Sequence, residues 1–158
     1  MARPAALVAV LAACVAAAIS AVPARAQNGG GLYIAGAGET FAEAARQALA
    51  ESGGGRFFVL LVPPETEALA ASGASAEAVQ LRSKILASGG SLLVCRRDVD
   101  SGAVPAAGLM AGVQVVRGWP QPGGPQLLPN SDYYPDETPG ALPTATEQLR
   151  RLRSTCSS

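Results

Sequence analysis

Histidine is absent from all 158 residues. That absence removes His-based triads, His–Cys dyads and the usual zinc or iron ligand sets. Cysteine is nearly as scarce: Cys14, Cys95 and Cys156 are the whole supply. Cys14 lies in an N-terminal stretch that reads as a leader, so two thiols would remain after processing. Two are too few for a four-thiolate metal site in one chain. No metal and no cofactor are therefore expected. A surplus of positive charge is missing as well, with 12 basic and 12 acidic side chains. No basic face is evident, and nucleic acid is not an expected partner.

What is present begins with a short positive start, Met1-Ala2-Arg3, and a nearly unbroken apolar run from Ala5 to Val22. Ala24-Arg25-Ala26 supplies the small-x-small pattern of a signal-peptidase site, which predicts cleavage after Ala26 and a periplasmic or secreted product. A second reading uses Leu11-Ala12-Ala13-Cys14 as a lipobox, making Cys14 a lipidated N-terminus. Against it, Val15 to Ile19 stay apolar, as if the hydrophobic core were still running. Without lipidation no stable membrane anchor is expected. Loss of Arg3 and Arg25 with the leader would tip the balance to acidic by two charges.

In the remaining chain, from Gln27 to Ser158, strands and helices alternate. Leu32–Ala35 reads as a strand broken by Gly36-Ala37-Gly38. Thr40 with Glu43 forms a capping box for a helix over Phe41–Ser52. Gly36-x-Gly38 before that helix has two readings, an anion cradle or a tight turn, and Glu39 beside it favours the turn. Phe57–Val62 is apolar on both faces, as a central parallel strand should be. Glu65 and Glu67 follow it, either as general bases or as a solvated turn or the acidic first turn of a short helix. Ser75 caps a helix over Ala76–Ala87, with Val79, Leu81, Ile85 and Leu86 as its apolar positions and Glu77, Arg82 and Lys84 toward water. Gly89-Gly90 stops it. Leu92–Val94 is the third strand, Asp98–Ala107 a loop, and Val113–Val116 the fourth strand. Seven of the twelve prolines fall between Pro120 and Pro143. That density argues against regular helix or central strand and leaves a packed arm or a disordered linker. Tyr133 and Tyr134 would help an arm pack or meet a partner. Thr144 with Glu147 repeats the capping-box pattern ahead of a short basic helix ending near Cys156.

This alternation predicts an α/β fold, a small parallel sheet in three layers, followed by the arm and a terminal helix. The expected organisation is leader 1–26, domain 27–119, arm 120–143 and helix or tail 144–158. Four strands leave edges that the arm or another subunit would have to cover.

Cys95 stands at the end of the third strand, followed by Arg96 and Arg97. Neighbouring cations favour the thiolate, the nucleophilic form. Alternation along an extended chain puts Arg97, not Arg96, on the thiol's side. Three readings stay open: a reactive thiol stabilised by Arg97, a small apolar core residue, or the disulfide partner of Cys156.

The span from Phe57 to Trp119 resembles the DsrE/DsrF-like family of small α/β proteins linked to sulfur relay. Phe57-Phe58-Val59-Leu60-Leu61-Val62 is similar to its apolar strand. The segment from Leu81 through Ser88-Gly89-Gly90-Ser91 to Cys95 is similar to its helix, turn and strand ending in cysteine. Leu109 to Gly118, with Gly112-Val113-Gln114-Val115-Val116, is similar to the segment that follows. The resemblance implies a DsrE-like sheet, a persulfide carried on Cys95, and self-association into trimers or hexamers. Two features differ from the family: the export signal, and Arg96-Arg97-Asp98-Val99-Asp100 in place of a small-residue helix after the cysteine. Two functions follow as expectations. One is an exported thiol or sulfur carrier acting through Cys95. The other is a non-catalytic periplasmic interaction or envelope-assembly module, with a protein partner or its own copies, in which Cys95 is structural or bonded to Cys156.

Overall fold

The computed structural model describes residues 31–157. The expected leader, its cleavage site and the motif at Cys14 lie outside those residues. Four strands, β1 (Gly31–Ala35), β2 (Phe57–Leu61), β3 (Gly90–Cys95) and β4 (Gln114–Val116), form one sheet in the order β1-β2-β3-β4. Every pairing is parallel, with Phe57 opposite both Gly31 and Gly90. Four helices accompany them: α1 (Phe41–Glu51), α2 (Ala76–Ala87), α3 (Arg96–Asp100) and α4 (Thr146–Ser157).

All five residues of β2 are buried. Their side chains alternate between two cores, as strand geometry requires. Phe57, Val59 and Leu61 pack with α1 and α2, whereas Phe58 and Leu60 pack with α4 residues Leu149, Leu152 and Cys156. The sheet is thus the middle layer of three, and the predicted α/β architecture holds at that level. Among the described residues no helix is long and apolar enough to cross a membrane.

The N-terminus of α1 forms as its sequence predicts. Thr40 Oγ1 accepts from the Glu43 N–H, and Glu43 Oε2 accepts from the Thr40 N–H at 2.9 Å. The buried stripe then comprises Phe41, Ala44, Ala45 and Ala48, whose small side chains let the helix lie close to the sheet.

Helix α2 keeps Leu81 and Ile85 on its buried stripe as expected but departs from expectation at Val79, Arg82 and Leu86. Its buried positions are Ala78, Leu81, Arg82 and Ile85, while Val79 and Leu86 are exposed. Arg82 buries its aliphatic stem and donates from one nitrogen to Ala68 O at 3.1 Å and Ala70 O at 2.7 Å. Those carbonyls lie in and just after the 3₁₀ turn Glu65–Leu69. A guanidinium that meets two carbonyls can occupy the stripe that hydropathy would assign to an apolar side chain.

The two glycines after α2 do different work. Gly89, with φ 79°, is the left-handed residue at the helix end. Gly90 belongs to the strand, and a Cβ there would lie 2.5 Å from the Phe57 ring. Strand β3 therefore starts two residues earlier than hydropathy suggests.

Residues 98–100, expected as the start of a loop over Asp98–Ala107, instead complete α3, which begins at Arg96. Five residues are too few to show a helical period. Arg96 and Asp100 pair across one turn at 3.0 Å, and Asp98 lies in the first turn, where an acid suits the helix dipole.

The proline-rich segment is a packed arm. Its one regular piece among the described residues is a 3₁₀ turn at Pro139–Ala141. Tyr134 and Leu142 are buried, and the Tyr134 hydroxyl donates to Gly118 O at 2.8 Å. Helix α4 begins at Thr146, two residues past the predicted cap. It also covers the outer edge of β1: Leu32 N–H donates to Gln148 Oε1, and Arg151 donates to Leu32 O, each at 3.2 Å. Part of the edge protection expected of the arm or of another subunit thus comes from the terminal helix.

Candidate functional site

Cys95 is the last residue of β3, at the carboxyl end of a parallel sheet, where α/β proteins place their ligands. It is fully buried and bonded to Cys156 of α4, with the two Cα atoms 5.2 Å apart and 61 positions separating them in the chain. The bridge lies in the apolar cluster formed by Leu93, Val116, Leu149 and Leu152. Of the three readings of Cys95, the structure has the disulfide to Cys156. Core burial accompanies it.

The two arginines do not follow the extended-chain argument, because the backbone turns into α3 at Arg96. Arg96 meets Asp100, and Arg97 Nε donates to Asp98 Oδ1 at 3.2 Å. Each cation thus has a carboxylate from its own helix. Asp98 is itself buried, and its Oδ2 has no hydrogen-bond partner.

The turn before α1 is closed by its own backbone and acids. Gly36 N–H donates to Glu39 O at 2.7 Å, and Glu39 N–H returns to Gly36 O at 3.1 Å. Gly36 has φ 111°, and a Cβ there would come within 2.3 Å of Val62 Cγ2. Phe41 N–H, the first helical donor, goes to Glu65 Oε2 at 2.7 Å. Hydrogen bonding to Thr40, from its backbone first and its hydroxyl second, also holds the Glu43 carboxyl below its ordinary pKa. An incoming anion would find these donors occupied by backbone carbonyls and internal carboxylates, so Gly36-x-Gly38 is a tight turn. Glu65 acts as a remote cap for α1. Glu67 is exposed on the same 3₁₀ turn.

One cluster has no counterpart in the sequence reading. Arg153 is the largest fully buried side chain. It makes a bidentate pair with Glu137 of the arm, 2.7 Å from Oε1 on one side and against Oε2 on the other. The same guanidinium donates to Arg117 O and to Asp132 O, each at 2.8 Å, and stands 5.1 Å from the Tyr134 ring centre. Burial raises the Tyr134 hydroxyl pKa, and the positive Arg153 opposes that rise. A signal existed: Leu149, Leu152, Arg153 and Cys156 share the buried stripe of one helix. An arginine on such a stripe must meet acceptors inside the fold.

The geometry brings Cys95 and Cys156 together and places the arm against both α4 and the strand ends. No protein-family model matches this chain, and comparison with curated proteins and with solved structures finds none that matches.

Proposed function

We propose that this chain is an exported, non-catalytic interaction module in which the Cys95–Cys156 bridge braces the terminal helix and the arm. The observation that carries this reading is the burial of the bridge: Cys95 is 0% exposed and Cys156 is 4% exposed. A sulfur carrier must present its sulfur to a donor and then to an acceptor, and thiol exchange requires access to the attacked atom. A disulfide also suits an oxidising compartment, in keeping with the expected leader. Closing a loop of 61 positions supports the brace. In the chain-entropy model it contributes roughly 4 kcal/mol. The partner would be another protein or a second copy, met through the exposed part of the arm, since Tyr134 is buried within the fold.

The alternative proposal, a DsrE-like sulfur carrier working through Cys95 with Arg97 beside it, rests on one observation. Cys95 stands at the carboxyl end of β3, after a parallel strand–helix–strand unit of the kind the resemblance implies. Under that proposal the bridge must open before each transfer.

Intact mass of the exported protein after native alkylation, with and without reductant, separates the two. The module reading expects a mass two hydrogens below the dithiol form, no alkylation without reductant, and a lower melting temperature once the bridge is reduced. Free thiols in the native protein, or an added sulfur on Cys95, would overturn it in favour of the carrier.

A further inference from the structure

On the face of the sheet opposite the disulfide, a half-open cleft of about 280 Å³ lies between the segment after β2 and the loop joining α3 to β4. Its two walls are fastened to each other. Ala71 N–H donates to Gly108 O at 2.7 Å, and Met110 N–H donates to Leu69 O at 2.9 Å. The opening is therefore held by backbone rather than by side chains free to collapse. Val104, Pro105, Leu109 and Ala70 give it an apolar lining, with Val104 buried.

One ionisable group lines this cleft, Glu67. Its backbone is already engaged, the N–H with Pro64 O and the carbonyl with Ala70 N–H. Its carboxylate has no hydrogen bond or ion pair among the described residues. Arg82, the buried cation of α2, donates to Ala68 O and Ala70 O and does not line the cleft. An apolar slot with a single unpaired negative charge at its wall complements one kind of small molecule.

We infer that the cleft binds a small organic monocation, an apolar body carrying one ammonium group. The body packs against Val104, Pro105 and Leu109, and the ammonium meets the Glu67 carboxylate. Ligand pockets commonly span about 300–1,000 Å³, so this one takes a molecule at the small end, about the size of benzylamine. The inference is independent of the role of the disulfide, since none of the residues lining the cleft belongs to the core that holds the bridge.

Benzylammonium is a suitable probe, titrated into the intact oxidised protein and followed by amide NMR. Saturable shifts are expected within residues 66–73 and 103–109, with the millimolar affinity proper to so small a ligand. Benzyl alcohol should bind about two- to fivefold more weakly, the range that an exposed charge pair supplies. Glu67→Gln should erase that difference, and Glu147→Gln, on α4, should leave it intact. Ala103→Trp, a change at an exposed wall residue, should block both probes. Equal binding of the amine and the alcohol to the unmodified protein would overturn the inference. So would shifts outside these segments, an unaltered preference in Glu67→Gln, or no saturation.

Discussion

The two faces of the sheet are closed by different means. On one, α1 and α2 arise from short crossovers between neighbouring strands and bury Ala44, Ala45, Ala48, Leu81 and Ile85 against Phe57, Val59 and Leu61. On the other, one helix from the end of the chain covers Phe58, Leu60 and Leu93. That helix arrives by way of an arm with almost no regular structure. Ordering the arm costs conformational entropy, and hydrogen bonding within it returns little of that cost. The second face carries what the first does without: a disulfide, and a buried ion pair that joins α4 to the arm. The comparison teaches that apolar packing, helped by hydrogen bonds from Arg82 and to Glu65, closes the face where chain connectivity already brings a helix to the sheet. A distant segment here is fastened by specific cross-links as well.

The largest effect should come from cutting the ion pair on one side. Arg153→Met strands Glu137 in the interior and removes donors from Arg117 O and Asp132 O, with an expected loss of about 5 kcal/mol in denaturant unfolding. Replacing both partners with apolar residues should recover much of it. If the single change cost under about 1 kcal/mol, the ion pair would be ornamental and the contrast between the faces would fail. Ile85→Ala, on the packed face, should cost about 3 kcal/mol through lost contacts and a cavity. Its effect should add to that of reducing the disulfide within about 0.5 kcal/mol, since the two lie in separate cores. Arg153→Met and reduction should instead be non-additive, because both release α4.

The smallest effect is at alkaline pH. Tyr33 donates to Glu51 Oε2 at 3.1 Å, and burial first, then that hydrogen bond, push its pKa up to about 12 from 10.0. The folded state therefore favours the protonated phenol. Its contribution is complete below pH 10 and is lost as pH rises from about 10 toward 12. Stability of Tyr33→Phe should fall less steeply over that interval, as read by chemical denaturation at fixed pH values. Equal slopes for the two proteins would remove Tyr33 from the account.

How much was legible depended on how local the cause was. The run Phe57–Val62 announced a central strand, because six consecutive apolar residues need cover on both faces, and Phe57–Leu61 forms it. The Thr40–Glu43 box marked the start of α1, because its two hydrogen bonds lie within four residues. Helix α2 was legible as a helix, with Leu81 and Ile85 inward, but the inward place of Arg82 and the exposure of Val79 and Leu86 were not. The stripe containing Arg82 goes inward because Ala68 and Ala70 offer carbonyls there, and nothing near Arg82 in sequence reveals them. Helix α3 was missed because its five residues hold no periodic pattern.

At the candidate site the chain by itself determined the inventory: no histidine, two cysteines in the described residues, two arginines after Cys95, and an alternation of strands and helices that leads to a parallel sheet. These follow from composition and short-range physics. Only the tertiary structure decided that Cys95 meets Cys156, that Glu65 caps a helix it does not belong to, and that Arg153 finds Glu137. Each is a meeting between segments far apart in sequence. Such meetings depend on the path of the chain through space, which the sheet and its crossovers establish together.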